Sequence, residues 1–161
     1  MSETQQQPVF IIEKIYVKDL SLEIPHAPQV FLEREAPEIN LQLATSNSVV
    51  DGEIREVTVT ATVTARLKEK DKVMFLVEAH QAGIFRISNV PGDEIEPVLG
   101  VLCPNILFPY LRETVSDTVT RAGFPPVILN PVNFEAIYHQ KKQQEAASSQ
   151  PGQSTDTTTK H

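Results

Sequence analysis

Residues 57–68 read Val-Thr-Val-Thr-Ala-Thr-Val-Thr-Ala-Arg-Leu-Lys. Val57, Val59, Ala61, Val63, Ala65 and Leu67 share one parity; Thr58, Thr60, Thr62, Thr64, Arg66 and Lys68 share the other. Side chains of a strand alternate between faces, so this period of two predicts a strand with one buried face. Val and Thr also suit a pleated surface.

Working outward, Lys68 to Lys72 form a charged connection, and Val73 to Ile87 predict a further strand. Its first residues, Val73-Met74-Phe75-Leu76-Val77, are apolar on both faces, as expected inside a layered fold or at an oligomer interface. Upstream, Ile39, Leu41 and Leu43 alternate with Asn40, Gln42 and Ala44, a second strand that Ser46-Asn47-Ser48 and Asp51-Gly52 punctuate. Val9 to Ile24 reads as extended, with Leu20, Leu22 and Ile24 on one face, and is closed by Pro25 and Pro28. After Asn89 to Gly92 the period changes. Leu107, Leu111, Val115, Val119 and Ala122 recur along one helical stripe, and Gly123 with Pro125-Pro126 ends it. A helical turn or two before it, around 94–103, with a kink near Pro104 or Pro109, is expected. Asn133 is positioned to cap a last helix reaching about Gln143, with Phe134, Ile137 and Tyr138 on its apolar face.

Four strands followed by helices predict an α+β fold: a four-stranded antiparallel sheet covered on one face by a long helix and a C-terminal helix. The chain has 161 residues, as expected for one domain. Residues 9–143 carry the apolar pattern. Residues 1–8 and 144–161 are polar stretches expected to be disordered.

The formal net charge of −7 argues against nucleic-acid binding, which needs clustered cations, and against an anionic membrane surface. Cys103 is the single cysteine, so no disulfide within the chain is possible. No basic segment followed by an apolar core opens the sequence, and no apolar run reaches membrane-spanning length. A cytoplasmic protein is the expectation. The glycines form no phosphate-binding fingerprint, and one cysteine with four scattered histidines gives no metal-ligand spacing. Cys103 lies in an apolar stretch without a nearby His, as an inert thiol does. No catalytic, metal or cofactor site is expected.

The segment from Cys103 to Tyr138, CPNILFPYLRETVSDTVTRAGFPPVILNPVNFEAIY, resembles the signature of the SecB export chaperones: a CPxxLFPYxRE block, a GFP turn and a LxPVNFxxxY block. Residues 15–21 resemble the family's first strand, 37–41 its second and 81–85 its fourth, so the resemblance covers roughly 9–143. It implies a non-enzymatic holdase that binds unfolded secretory precursor proteins and delivers them to the SecA motor. It also implies a homotetramer built as a dimer of dimers, with Val77, Ala79 and Gln81 as candidates for the sheet-pairing contact. Tyr16, Ile39, Leu41, Leu43, Phe134 and Tyr138 are candidates for the client groove. Asp19 and Glu23 share a face by parity, as do Leu76 and Glu78, so pairing of the first and fourth strands would bring the four together. The resemblance implies SecA docking there. The family often carries a Trp before its second strand, and this chain has none. Its tail also mixes Lys141, Lys142 and Lys160 with Glu145 and Asp156, where the family's well-studied tails are acidic. Two other readings are a SecB-like chaperone dedicated to one client, such as an antitoxin, and an enzyme or carrier for a small apolar ligand.

Overall fold

A computed structural model describes residues 6–149. The chain forms β1 (Val9–Glu23), a short 3-10 turn (Gln29–Leu32), β2 (Glu38–Asp51), β3 (Ile54–Leu67) and β4 (Lys72–Ser88). Then come α1 (Gly92–Pro97), a wide π-helical turn (Val98–Leu102), α2 (Cys103–Arg121) and α3 (Phe134–Ser148). The sheet is antiparallel throughout, in the order β1-β4-β3-β2. β1 and β2 are therefore its edges.

The alternation in β3 is realised in full. Val57, Val59, Ala61, Val63, Ala65 and Leu67 have no exposed surface. Opposite them lies the predicted α2 stripe, with Leu107, Leu111, Val115 and Val119 equally enclosed. This core sits between α2 and the two central strands. The other face of the sheet carries no helix, and the threonines of β3 lie on it.

Three expectations are corrected. β2 runs through Ser46-Asn47-Ser48 to Asp51, because those residues pair with Thr58, Val57 and Glu56 of β3; the turn falls at Gly52, whose positive φ of 55° suits glycine. The helical run is unbroken from Gly92 to Arg121, with a wide turn at Val98–Leu102 just before Pro104. Pro104 has no N–H to give the Gly100 carbonyl one turn back, and a wide turn relieves that loss. α3 continues past Gln143 to Ser148, through the helix-favouring run Gln144-Glu145-Ala146-Ala147. It packs chiefly on the wide turn, so α2 is the helix that covers the sheet. The expectation for residues 1–5 and 150–161 lies outside the described residues.

Candidate binding surfaces

The β2–β3 register places Ile39, Leu41 and Leu43 opposite Ala65, Val63 and Ala61, on the α2 side of the sheet. α2 lies over β3 and β4, which leaves Ile39 exposed and the two leucines half-covered. A cavity opens at each end of this run. The first, of about 490 Å³, is lined mainly by apolar side chains, among them Ile39, Phe31, Met74, Phe75 and Phe124, with Glu33, Arg34 and Glu35 also in its wall. Phe31 stacks on Phe124 with ring centres 5.1 Å apart, and Phe75 meets Phe124 at 4.8 Å. Phe31 is 48% exposed and Leu32 78%. The slip in register between Ala65 and Arg66 sets Met74 out of the ladder, and Met74 joins Phe75 in the cavity wall. That slip accounts for Met74, while Leu76 stays on the helix-free face.

The second cavity, of about 400 Å³, lies between Thr45, Asn47 and Arg55 on the sheet and Gly100, Tyr138 and Lys142 on the helices. Tyr138 lies flat on the wide turn: a Cβ at Gly100 would come within 2.6 Å of its ring. Asn133 fixes the start of α3, its side-chain oxygen accepting from the Ala136 N–H at 3.0 Å. The Tyr138 hydroxyl is enclosed, with the Lys142 ammonium beside its ring. Ile39, Leu41 and Leu43 thus lead along one face of β2 from an aromatic cavity to a mixed polar one, over about 20 Å from Ile39 to Thr45 at ~3.3 Å per residue.

Two of the residues expected beside them stand elsewhere. Phe134 is buried, its ring edge-on to Phe108 at 5.6 Å, and belongs to the core. Tyr16 pairs with Ala82 on the opposite, helix-free face. Its hydroxyl donates to Glu56, which also accepts from Lys18 at 2.5 Å. Burial, then the Glu56 carboxylate, pushes the Tyr16 hydroxyl up to about 12. The Lys18 ammonium, then the Tyr16 hydroxyl, holds the Glu56 carboxyl below its usual range.

The helix-free face brings the four acidic-patch residues together. Glu23 lies opposite Leu76, Ser21 opposite Glu78, and Asp19 opposite His80. Asp19, Glu23 and Glu78 are exposed and Leu76 is half-covered. His80 lies among them, its Nε2 2.9 Å from Glu78 Oε1 and its Nδ1 3.0 Å from the Thr60 hydroxyl.

Val77, Ala79 and Gln81 do share a face, but that face lies under α2 of the same chain. Val77 and Ala79 have no exposed surface. The Gln81 amide donates to the Tyr16 carbonyl at 3.2 Å and accepts from the Thr114 hydroxyl at 2.9 Å. Their side chains are spent inside the single chain and offer nothing to a second copy. The free apolar surface lies on β1: Phe10, Ile12, Val17, Leu20 and Leu22 line its α2 side, all exposed, beside exposed Tyr110 of α2. Leu20 and Leu22, expected to be buried, are left open because α2 barely reaches β1.

Among the described residues no three His, Cys, Asp or Glu side chains converge as metal ligands, and no helix is long and apolar enough to cross a membrane. Cys103 is fully enclosed, and burial pushes its thiol up to about 12, which keeps it protonated.

Residues 3–145 match the family described as preprotein translocase subunit SecB. Proteins named protein-export protein SecB are similar over the full length of both chains: 84% identical in Nitrosomonas europaea and 86% in Nitrosomonas eutropha. That of Neisseria gonorrhoeae is 57% identical over 91% of this chain and 99% of its own. A solved structure of the Mycobacterium tuberculosis Rv1957 SecB-like chaperone, in complex with a ChAD peptide from the Rv1956 HigA1 antitoxin, is similar in fold at 16% identity. It covers 76% of this chain and 90% of its own, with a TM-score of 0.63.

Proposed function

Because the chain belongs to the SecB family of protein-export chaperones, we propose that it holds unfolded precursor proteins along the α2 side of β2 and hands them on from the opposite face of the sheet. The observation that carries this reading is the run Ile39-Leu41-Leu43 joining two cavities. β2 is an edge strand. Its unpaired backbone groups can bond any extended client without reading its sequence, while the apolar run and the aromatic cavity take side chains of many shapes. Phe31, Leu32 and Phe124 join Ile39, Leu41, Leu43 and Tyr138 as the client surface. Phe134 supports it from the core.

The test is suppression of aggregation of a denatured precursor by the variant Ile39→Glu/Phe31→Ser. Both residues are exposed, so far-ultraviolet circular dichroism should be unchanged while holding falls several-fold. Undiminished holding by this variant would overturn the groove.

Asp19, Glu23, Leu76 and Glu78 form the docking face for the SecA motor. Exposed charges steer association and are screened by salt. Each pair contributes only ~0.2–1 kcal/mol, so the patch acts as a group. The variant D19K/E78K should lose most SecA binding at low salt and keep client holding, while removal of residues 150–161 should matter less. The opposite ranking would assign the contact to the tail.

The exposed apolar strip on β1 favours a second copy as its cover, within a homotetramer built as a dimer of dimers in the cytoplasm. Obligate interfaces of this kind are core-like. A role dedicated to one antitoxin is not favoured, since the relatives of high identity are export proteins and the antitoxin-bound structure shares the fold alone.

A further inference from the structure

The acidic patch on the helix-free face contains one side chain that the docking reading leaves unused. His80 has Asp19 of β1 opposite it on one side and Thr60 of β3 on the other, with Glu78 two residues before it on β4. Its ring is engaged at both nitrogens, Nε2 at 2.9 Å from Glu78 Oε1 and Nδ1 at 3.0 Å from the Thr60 hydroxyl. A carboxylate only accepts, so the Nε2–H donates to Glu78, and the neutral ring accepts the Thr60 O–H at Nδ1. On protonation the new Nδ1–H donates to the Thr60 oxygen, and the hydroxyl hydrogen swings aside. Both charge states therefore fit without movement of a heavy atom.

The surroundings make that proton count. On β1 the ring faces Asp19, whose Oδ1 accepts from the Leu20 N–H at 2.9 Å. At this level β3 offers only threonines, and the next charges along the face, Lys18 and Glu56, pair with each other beside Tyr16. Asp19 and Glu23 have no ion pair among the described residues, and Glu78 has only His80. Histidine is the side chain that ordinarily changes charge between about pH 5 and pH 8.

We propose that His80 positions the Glu78 carboxylate for the motor and, by taking up a proton, lowers the affinity of this face for it. The inference rests on the docking reading above and adds its regulation. The added charge acts twice in one direction. It offsets one of the negative charges offered to a cationic partner, and it makes the Glu78 contact a charged hydrogen bond with which that partner must compete. Docking is thus full where the ring is neutral and weakens as pH falls and the ring takes its proton.

Binding of intact SecA to the full chain at low salt, at about pH 8 and about pH 6, tests this in the parent, His80→Gln and His80→Ala. Any pH response of the motor itself is common to all, so the ratio of Kd at the lower pH to that at the higher is compared. The parent's ratio should exceed that of either variant by about threefold. Gln keeps a neutral donor for Glu78, whereas Ala leaves the carboxylate unheld. At the higher pH His80→Ala should therefore bind several-fold more weakly than His80→Gln. Far-ultraviolet circular dichroism and assembly mass should match the parent, since His80 is only half-buried. Equal ratios in the parent and His80→Gln would overturn the regulation, and equal affinities of the two variants would overturn the positioning. Undiminished SecA binding by D19K/E78K would instead overturn the docking face itself, and this inference with it.

Discussion

Gly100 is the residue on which the polar end of the groove turns. It sits inside the wide turn, where alanine would favour helix by up to ~1 kcal/mol, but its missing Cβ is the space the Tyr138 ring occupies. Gly100→Ala should keep or raise helical content while pushing Tyr138 off its seat. The chain has three tyrosines and no tryptophan, so near-ultraviolet circular dichroism of tyrosine reports the displacement, and precursor holding should weaken with it. Cys103 gives a second expectation at this scale. Enclosed and protonated, it should resist a thiol reagent at neutral pH by several orders of magnitude relative to the urea-unfolded chain. Rapid native labelling, followed by stopped-flow absorbance, would show that α2 opens.

At the scale of elements, side chains of β1 that reach across β4 to β3 set the response to pH. Glu56 of β3 is held by Lys18 and Tyr16 of β1, and its carboxyl lies below the usual range. Its contribution to stability is complete above the unfolded value near ~4.3 and is lost as pH falls through the lowered folded value. The Tyr16 hydroxyl, raised to about 12, acts at the other end: its contribution is present below ~10 and is lost as pH rises towards 12. Urea midpoints from about pH 6 down to pH 3 should fall less steeply in Glu56→Gln than in the parent. Equal slopes would show that the ionised carboxylate adds nothing. α3 tests separately. Asn133→Ala removes its cap and should cost ~1 kcal/mol of helix stability, read as faster amide exchange over 134–140 with the sheet unchanged.

β1 also shows why parts of the site were hard to read. The parity that unites Asp19 with Glu23, and Leu76 with Glu78, survives because neither segment contains a bulge between its pair. Register slips between Ile12 and Lys14 and between Val17 and Asp19 break the alternation of β1 twice. The second slip brings Tyr16 to the same face as Asp19, away from the β2 groove, and the pattern of residue types gives no mark of it. The cores of β3 and α2 were legible because their periods of two and four are uninterrupted. Parity also grouped Val77, Ala79 and Gln81, but it cannot tell which face a helix will take. The aromatic cavity joins Phe31, Phe75 and Phe124, far apart in the chain, so only the packed fold reveals it.

For the whole molecule, the strip of Phe10, Ile12, Val17, Leu20 and Leu22 is a contiguous exposed apolar patch of the kind that marks an interaction surface. Val17→Asp/Leu20→Asp should reduce the assembly mass seen by light scattering at micromolar concentration. Both side chains are over 40% exposed in the single chain, so its own fold should persist. A parent protein that scatters as a monomer would remove the assembly altogether. The sheet itself has a further consequence. On the proposed reading its α2 side would carry the cargo along β2, at one edge, while its bare side has the acidic patch on β1 and β4, towards the other. Two ligands on opposite sides of one sheet do not compete for atoms, so a ternary complex is sterically open. Any influence of one on the other must pass as a change in the twist of the strands between them. Unless that twist responds, the coupling free energy is close to zero and, by reciprocity, so is its converse. Release of cargo would then be work done by the motor and not a consequence of its arrival.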